Sequence, residues 1–374
     1  MINVLVTGTS GMNTGTQIMM ALLLCPNRYR VVVTDISETS YGAFKVEKSY
    51  LVPPAGSPEY VGRILDICSK EKINVIIPGS EPELKFYCSN RKIFEDAHIH
   101  LLINNTDVIN IGMDKMRTTR FLEKCGLPFP RSIILENGLN IECQAECIMQ
   151  QLRFPLILKP YLQSGGSNHL YLVQTRDELL LHLTLQRGRN DLKMMAQEYE
   201  GSPEEEYTVG VMSSEDGVAF SSFALKRLIN NSATRKICVP NIDKSRIKSD
   251  SLTISTGVSQ GWVDDFPEIR KFSEEVANVL GSTGPLNIQC RKTERGIVIF
   301  EINPRFSGTT SIRAICGHND PDIVIRNRIF NEDFFQVEYK KGLVLRTFDN
   351  FFIEGISPIK NKRRVSRNEA FQSV

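Results

Sequence analysis

The chain has 374 residues, with 45 Lys and Arg against 43 Asp and Glu, a net charge of +2, and 41% apolar residues. That length allows roughly two or three domains, each able to bury its own core. So even a charge balance supplies no general field for gathering polyanions, which argues against a nucleic-acid binder; any anion must be held locally.

The first residues, Met1-Ile2-Asn3-Val4-Leu5-Val6, have no basic start and no small-residue cleavage site, so they read as a strand and not as a signal peptide. The apolar run Ile18 to Cys25 stops at Pro26, short of the ~20 residues a membrane span needs, so no membrane association is expected. Nine scattered Cys without paired CxxC spacing suggest neither a disulfide framework nor a zinc site, and fit free thiols in a cytoplasmic protein.

Short apolar runs at Val4 to Thr7, Val31 to Thr34, Val75 to Pro78 and His100 to Ile103 read as buried parallel strands. Between them Tyr60, Val61, Ile64, Leu65 and Cys68 fall at helical spacing, and the alternation is that of a doubly wound sheet. The turn from Gly8 to Gly15 joins the first strand to a helix, and Asp35 ends the next strand. Its GxxGxxxG spacing departs from the GxGxxG of dinucleotide sites, so a tight strand-to-helix turn is the favoured reading over an NAD site. Ser80-Glu81-Pro82-Glu83 opens another helix, where the acids either serve the helix dipole or face a substrate crevice.

A helix is expected from Lys115 to Gly126, where Pro128 and Pro130 follow. From Phe129 to Tyr199 the pattern is strand, helix, strand, glycine turn, strand, helix, strand. Within it, Lys159 ends the apolar run Phe154 to Leu158, and Ser164-Gly165-Gly166-Ser167-Asn168 follows; a cation leaving a buried strand beside a glycine turn suits a phosphate clamp. Glu198 and Glu206 are acids placed to serve an adenine amino group and a ribose diol.

Strands dominate from Glu206 to Asn303, with one amphipathic helix carrying Ile269, Phe272, Val276, Val279 and Leu280. Thr293-Glu294-Arg295-Gly296 turns a hairpin. On its second strand Glu301 and Asn303 share a face, with Phe300 and Ile302 expected on the other; Gln289 on the first strand completes an oxygen-only ligand set of the kind Mg²⁺ takes together with phosphate oxygens. Arg305 just beyond suits a transferring phosphoryl group or a carboxylate. Arg227, Arg235 and Lys236 read either as a carboxylate site or as a solvated basic loop, and Lys360 to Arg367 as a basic tail.

These pieces in this order resemble the ATP-grasp superfamily, most closely the synthetase halves of the carbamoyl-phosphate synthase large chain and their stand-alone relatives. The resemblance implies an α/β protein: an N-terminal Rossmann-like parallel sheet domain over 1–112, then an ATP-grasp domain of two α+β subdomains over 113–330, with a lid at about 130–198. Residues 331–374 form a C-terminal extension outside it. It implies ATP with Mg²⁺, or Mn²⁺ in its place, and small-molecule carboxylate and amine substrates; a homodimer is left open. Residue by residue, it makes Lys115 and Lys159 triphosphate ligands, Gly165, Gly166 and Ser167 a lid loop, Glu198 and Tyr199 the adenine hinge, and Glu206 the ribose acid. Gln289, Glu301 and Asn303 become metal ligands and Arg305 the arginine of the Asn-Pro-Arg motif; Arg305 and, from the basic stretch read above, Arg227 are the expected catalytic residues. The implied activity is carboxylate–amine ligation through an acyl phosphate. Alternatives are carbamoyl-phosphate-type phosphorylation, an NAD-dependent oxidoreductase and a non-catalytic ATP sensor. Two departures are visible: Ser167-Asn168 stand where a basic lid residue is often found, and Phe306-Ser307-Gly308-Thr309-Thr310 replaces a serine-rich run.

Overall fold

The computed structural model describes residues 1–136, 138–162, 169–186, 193–332 and 337–346, and the backbone of 350–354. In its first hundred residues β1 (Ile2–Thr7), α1 (Thr14–Leu23), β2 (Tyr29–Asp35), β3 (Lys48–Leu51), α2 (Tyr60–Glu71), β4 (Val75–Ile77), α3 (Glu81–Ser89), α4 (Arg91–Asp96) and β5 (His100–Leu101) alternate. The five strands form one parallel sheet in the order β3-β2-β1-β4-β5. Both faces are covered, as the unbroken apolar runs require: Val4 and Val6 pack with α1, whereas Leu5 and Ile76 pack with Tyr60 and Ile64 of α2. β3, rich in polar and exposed residues, carries no apolar run and was not legible as a strand.

The Gly8 turn has a packing explanation. Gly8 and Gly11 have φ of +62° and +60°, and a Cβ on Gly15 would lie 2.2 Å from the Gly8 carbonyl oxygen. Positive φ at Gly8 and Gly11 and the close backbone approach at Gly15 both call for glycine here.

Helices α5 (Thr106–Gly112) and α6 (Lys115–Lys124) lead to β6 (Ser132–Ile134), α7 (Ile141–Gln151), β7 (Leu156–Pro160), β8 (Tyr171–Val173), α8 (Arg176–Gln186) and β9 (Met194–Glu198). Here the sheet is antiparallel, ordered β6-β9-β7-β8, with Leu156, Leu158 and Ala196 packed beneath Ala145, Ile148 and Leu179 of the two helices.

Next come β10 (Glu206–Ser213), β11 (Ala219–Arg227), β12 (Arg235–Pro240), β13 (Ser251–Ser255), β14 (Gly261–Val263), α9 (Pro267–Leu280), β15 (Pro285–Thr293), β16 (Gly296–Asn303), α10 (Thr310–Ile315), α11 (Asp320–Phe330), β17 (Gly342–Arg346) and β18 (Asn350–Glu354). A seven-stranded sheet runs β16-β15-β10-β11-β14-β17-β18, with β12 and β13 as a separate pair. β17 and β18 thus lie in the segment set apart by sequence as an extension, yet hydrogen-bond into the same sheet as the β15–β16 hairpin. Residues 333–336, 347–349 and 355–374 of that segment, the last with the basic tail, lie outside the described residues, as do Gly165, Gly166 and Ser167. No helix among the described residues is long and apolar enough to cross a membrane, and all nine Cys are free thiols.

Candidate functional site

A cavity of about 1000 Å³ opens between the three main sheets. Its walls bring together Lys115, Lys159, Glu198, Glu206, Arg227, Gln289, Glu301, Asn303 and Arg305, residues singled out from distant stretches of the sequence.

Lys115 is the first residue of α6, placed by Asp114, whose carboxylate caps the helix by accepting from the N–H groups of Met116 (2.9 Å) and Arg117 (3.0 Å). Lys159 rises from β7, and its Nζ donates to Gln197 Oε1 at 2.6 Å; the Gln197 amide in turn donates to Ser132 Oγ. Burial, helped by the neighbouring positive charge of Lys115 and opposed by Glu301, lowers the Lys159 ammonium from 10.5 to about 7. The Lys115 charge disfavours a second cation at Lys159, a cost that an anionic ligand between them would offset.

The hairpin of β15 and β16 forms the opposite wall. Asn287 stands opposite Asn303 and Gln289 opposite Glu301, so the proposed ligand triplet converges on one face. One expectation is corrected. The ladder shifts between Gln289 and Cys290, whose partners are Glu301 and Ile299, so Phe300 is an extra, bulged residue. Core contacts along β16 accordingly fall at Ile297, Ile299 and Ile302, and Phe300 faces the cavity together with Glu301 instead of pointing away. Amide oxygens of Gln289 and Asn303 and the Glu301 carboxylate are hard donors bearing a single charge, a set that fits Mg²⁺ sharing its remaining positions with phosphate and water. Arg305 closes this end, donating to Asn303 Oδ1 (3.1 Å) and Glu81 Oε1 (3.3 Å). Glu81 thus faces the cavity, whereas Glu83 is buried against Ser80 and the Tyr60 hydroxyl. Desolvation raises the Glu83 carboxyl above its usual range.

Glu206 and Arg227 are found bonded to each other. Arg227 Nη1 donates to Glu206 Oε1 at 2.7 Å, and Ser255 Oγ reaches the same oxygen at 2.8 Å. Arg291 donates to Oε2 through Nε (3.0 Å) and Nη2 (2.8 Å). The second Arg227 nitrogen donates to the carbonyls of Thr256 and Val258. Burial pushes the Glu206 carboxyl up, but the Arg291 and Arg227 guanidinium groups hold it below the usual carboxylate range. Sequence reading assigned these two residues to a ribose and to a substrate carboxylate; in the structure the acid and the guanidinium are both taken up within a buried Arg–Glu–Arg cluster in the cavity wall.

Glu198 is similarly anchored, accepting from the Arg153 N–H at 2.8 Å and from the Arg153 and Arg246 side chains. Tyr199, expected at the adenine hinge, does not line the cavity: its N–H donates to the Pro155 carbonyl, its carbonyl accepts from Arg246, and its hydroxyl bonds Thr253. Its ring lies under Arg291, 4.4 Å from the guanidinium carbon.

Sequence reasoning missed Asn287, Arg291, Gln197, Phe300 and Arg346. Asn287 and Arg291 were within reach, because they alternate with Gln289 along one strand face. Arg346 could not be placed without knowing that β17 joins this sheet; it lines the cavity, donating to the Gly308 carbonyl (2.7 Å) and to Gln17, while burial lowers its pKa to about 10.

Comparison with known proteins agrees with this architecture. Residues 4–102 match the family model described as PylC-like, N-terminal domain, and residues 245–351 match ATP-grasp in the biosynthetic pathway with Ter operon. The carbamoyl phosphate synthase large chain of Methanothrix thermoacetophila is 24% identical over 272 residues, covering 71% of this chain and 23% of that protein. D-alanine–D-alanine ligase of Chromohalobacter salexigens is 34% identical over 105 residues, 28% of this chain and 31% of the ligase. The chain therefore spans about a quarter to a third of the length of these relatives. Among solved structures, the ADP complex of N5-carboxyaminoimidazole ribonucleotide synthetase superposes with a TM-score of 0.67 at 15% identity, over 92% of this chain and 81% of that one. L-amino acid ligase from Bacillus licheniformis gives 0.57 at 15% identity, over 91% and 75%. With the parallel sheet, the antiparallel sheets and the shared cavity already described, these matches support an ATP-grasp enzyme.

Proposed function

We propose that the protein is an ATP- and Mg²⁺-dependent ligase that activates a carboxylate as an acyl phosphate and joins it to an amine. The observation carrying this reading is the convergence of Lys115, Lys159, Gln289, Glu301, Asn303 and Arg305 on one cavity. In this reading residues 1–112 are the pre-ATP-grasp unit and 113–330 the ATP-grasp unit, the latter extended by β17 and β18.

The two lysines hold the phosphate chain, neutralising charge that would otherwise repel an incoming carboxylate. Gln289, Glu301 and Asn303 would hold Mg²⁺, which would supply Lewis-acid stabilisation of the charge on the transferring group. Phe300, Ile157, Leu170 and Ile254 offer apolar walls for the base. The carboxylate oxygen attacks the γ-phosphorus and ADP leaves; the amine nitrogen then attacks the acyl carbon, losing a proton as phosphate departs. Arg305, held against Glu81, is placed for the phosphoryl oxygens or the acid during both displacements. Positioning and exclusion of water account for the rate, without a covalent bond to the protein.

The test is a phosphate-release screen with ATP, Mg²⁺, amino-acid pairs and carboxylated metabolites, with mass detection of the adduct. Phosphate released together with an adduct bearing a new amide supports ligation. A protein that binds ATP yet releases phosphate with no acid and amine is not a ligase, and one whose melting temperature ignores ATP and Mg²⁺ is not an ATP enzyme.

A further inference from the structure

Behind the metal-ligand hairpin runs a chain of buried polar groups that the proposed reaction does not use. Thr208 Oγ1 donates to Asn287 Oδ1 at 2.9 Å, and Arg313 Nη2 donates to the same oxygen at 2.8 Å. Arg313 Nη1 donates to Asp320 Oδ2 at 2.7 Å. The other Asp320 oxygen lies 2.8 Å from His318 Nδ1, and His318 Nε2 lies 2.8 Å from Ser221 Oγ. Arg313, His318 and Asp320 are completely buried. Although burial works to raise it, the Asp320 carboxyl is held below its usual range by the Arg313 charge and the His318 hydrogen bond.

We propose that Arg313 is a positioning residue for nucleotide binding, setting the orientation of the Asn287 side-chain amide in the wall of the phosphoryl end of the cavity. A guanidinium can only donate, so it accepts no contact from an amide NH₂ and draws the Asn287 oxygen toward itself. Thr208 donates to that oxygen as well, which leaves the Asn287 NH₂ to the cavity side, next to Asn303 across the ladder. The result is a fixed hydrogen-bond donor aimed at phosphate or acid oxygens, from a residue that unaided could present either end of its amide. Asp320 holds the second arm of the fork, and this is why a full charge can be kept in the wall.

The backbone is shaped for this arm. Gly210 stands beside Asn287 in the β10–β15 ladder, and a Cβ placed on it would lie 1.8 Å from Arg313 Nη1. Any side chain there would push the guanidinium away from Asn287. Gly210 thus gives a way to displace Arg313 without deleting a charge.

This inference rests on the ATP reading above, and its test separates the two. The probes are the non-hydrolysable analogue AMPPNP and ADP, each titrated calorimetrically with Mg²⁺ into the full chain, alongside the melting temperature without nucleotide. Arg313→Gln paired with Asp320→Asn removes both charges together, so no lone buried ion remains, and its amide can bond either end of Asn287. That double variant and Gly210→Ala should both bind Mg-AMPPNP about tenfold or more weakly, the loss of one hydrogen bond to a charged group, with Mg-ADP changed much less. Arg313→Lys, which keeps a donor-only cation, should recover most of the AMPPNP affinity. A role in folding alone would instead lower the melting temperature and weaken both nucleotides together. Wild-type AMPPNP affinity in folded Gly210→Ala and in the double variant overturns the proposal, as does an equal loss for ADP and AMPPNP. Wild-type protein that binds neither nucleotide overturns the ATP reading and this inference with it.

Discussion

Gln289 and Glu301 face each other across the hairpin ladder at the last paired position before the bulge, so the carboxylate and the amide are held at one level of the cavity wall. Glu301 is the only acid of the triplet and is partly exposed, so its negative charge serves a ligand more than the fold. Glu301→Gln should leave the melting temperature without ligand nearly unchanged and weaken Mg²⁺-dependent nucleotide binding at least tenfold. Calorimetric titration with and without Mg²⁺ checks this. If the metal-free and metal-loaded affinities still differ as in the wild type, the triplet is not the metal site.

Lys159 leads to a pH prediction. In the free protein its ammonium titrates near 7, against 10.5 in an unfolded chain. Between those values the unfolded chain binds more protons than the native one, so stability should rise with pH across that window. Bound triphosphate supplies the missing negative charge and raises the group again, so binding takes up a proton and ATP affinity should fall as pH climbs above about 7. Calorimetry at about pH 8 in buffers of different ionisation enthalpy should report net proton uptake by wild type and much less by Lys159→Met. Binding heats independent of the buffer would refute a charged role for Lys159 at the phosphates.

The buried Arg–Glu–Arg cluster is a stability prediction. Glu206→Gln leaves Arg227 and Arg291 without their shared carboxylate in a dry wall, and breaking such a pair from one side costs about 3–5 kcal/mol. Arg227 and Glu206 are both almost fully buried, so solvent relieves little of that cost. Chemical denaturation should therefore show a large drop for Glu206→Gln even without nucleotide, in contrast to Glu301→Gln. A stability equal to wild type, with only ATP affinity reduced, would instead make Glu206 a ligand-binding acid and not a structural one.

How much of this was readable beforehand depended on whether a signal was local. Lys159 at the end of an apolar run, and Glu301 and Asn303 two apart on a strand, announce themselves through short-range periodicity. Asp114 before Lys115 is likewise a local cap. The partners of Glu206 are not local: Arg227 lies 21 residues away and Arg291 lies 85, and only the strand order β15-β10-β11 places both beside it. The place of β17 is non-local too, since its neighbour β14 ends about eighty residues earlier in the chain. Bulges are harder still. One extra residue in a ladder changes which face every later side chain takes, and nothing in Ile299-Phe300-Glu301 marks it.

That bulge supplies the last prediction. Phe300 is turned into the cavity beside Arg291, with its ring centroid 5.8 Å from the guanidinium carbon, and it shares the wall with Ile157, Leu170 and Ile254. If these apolar groups hold the base, Phe300→Ala should weaken adenosine and ATP by the same factor, about 1–3 kcal/mol for loss of an aromatic contact to a base. Lys159→Met and Lys115→Met should weaken ATP alone, because adenosine carries no phosphate to lose. Phe300 is partly exposed to the cavity and absent from the central packing of Ile297, Ile299 and Ile302, so the truncation should cost little stability. Parallel titrations of adenosine and ATP against the three variants decide the orientation of the nucleotide: a loss for ATP only in Phe300→Ala would place the bulge at the phosphates, and a loss for adenosine in the lysine variants would place the base at the opposite end.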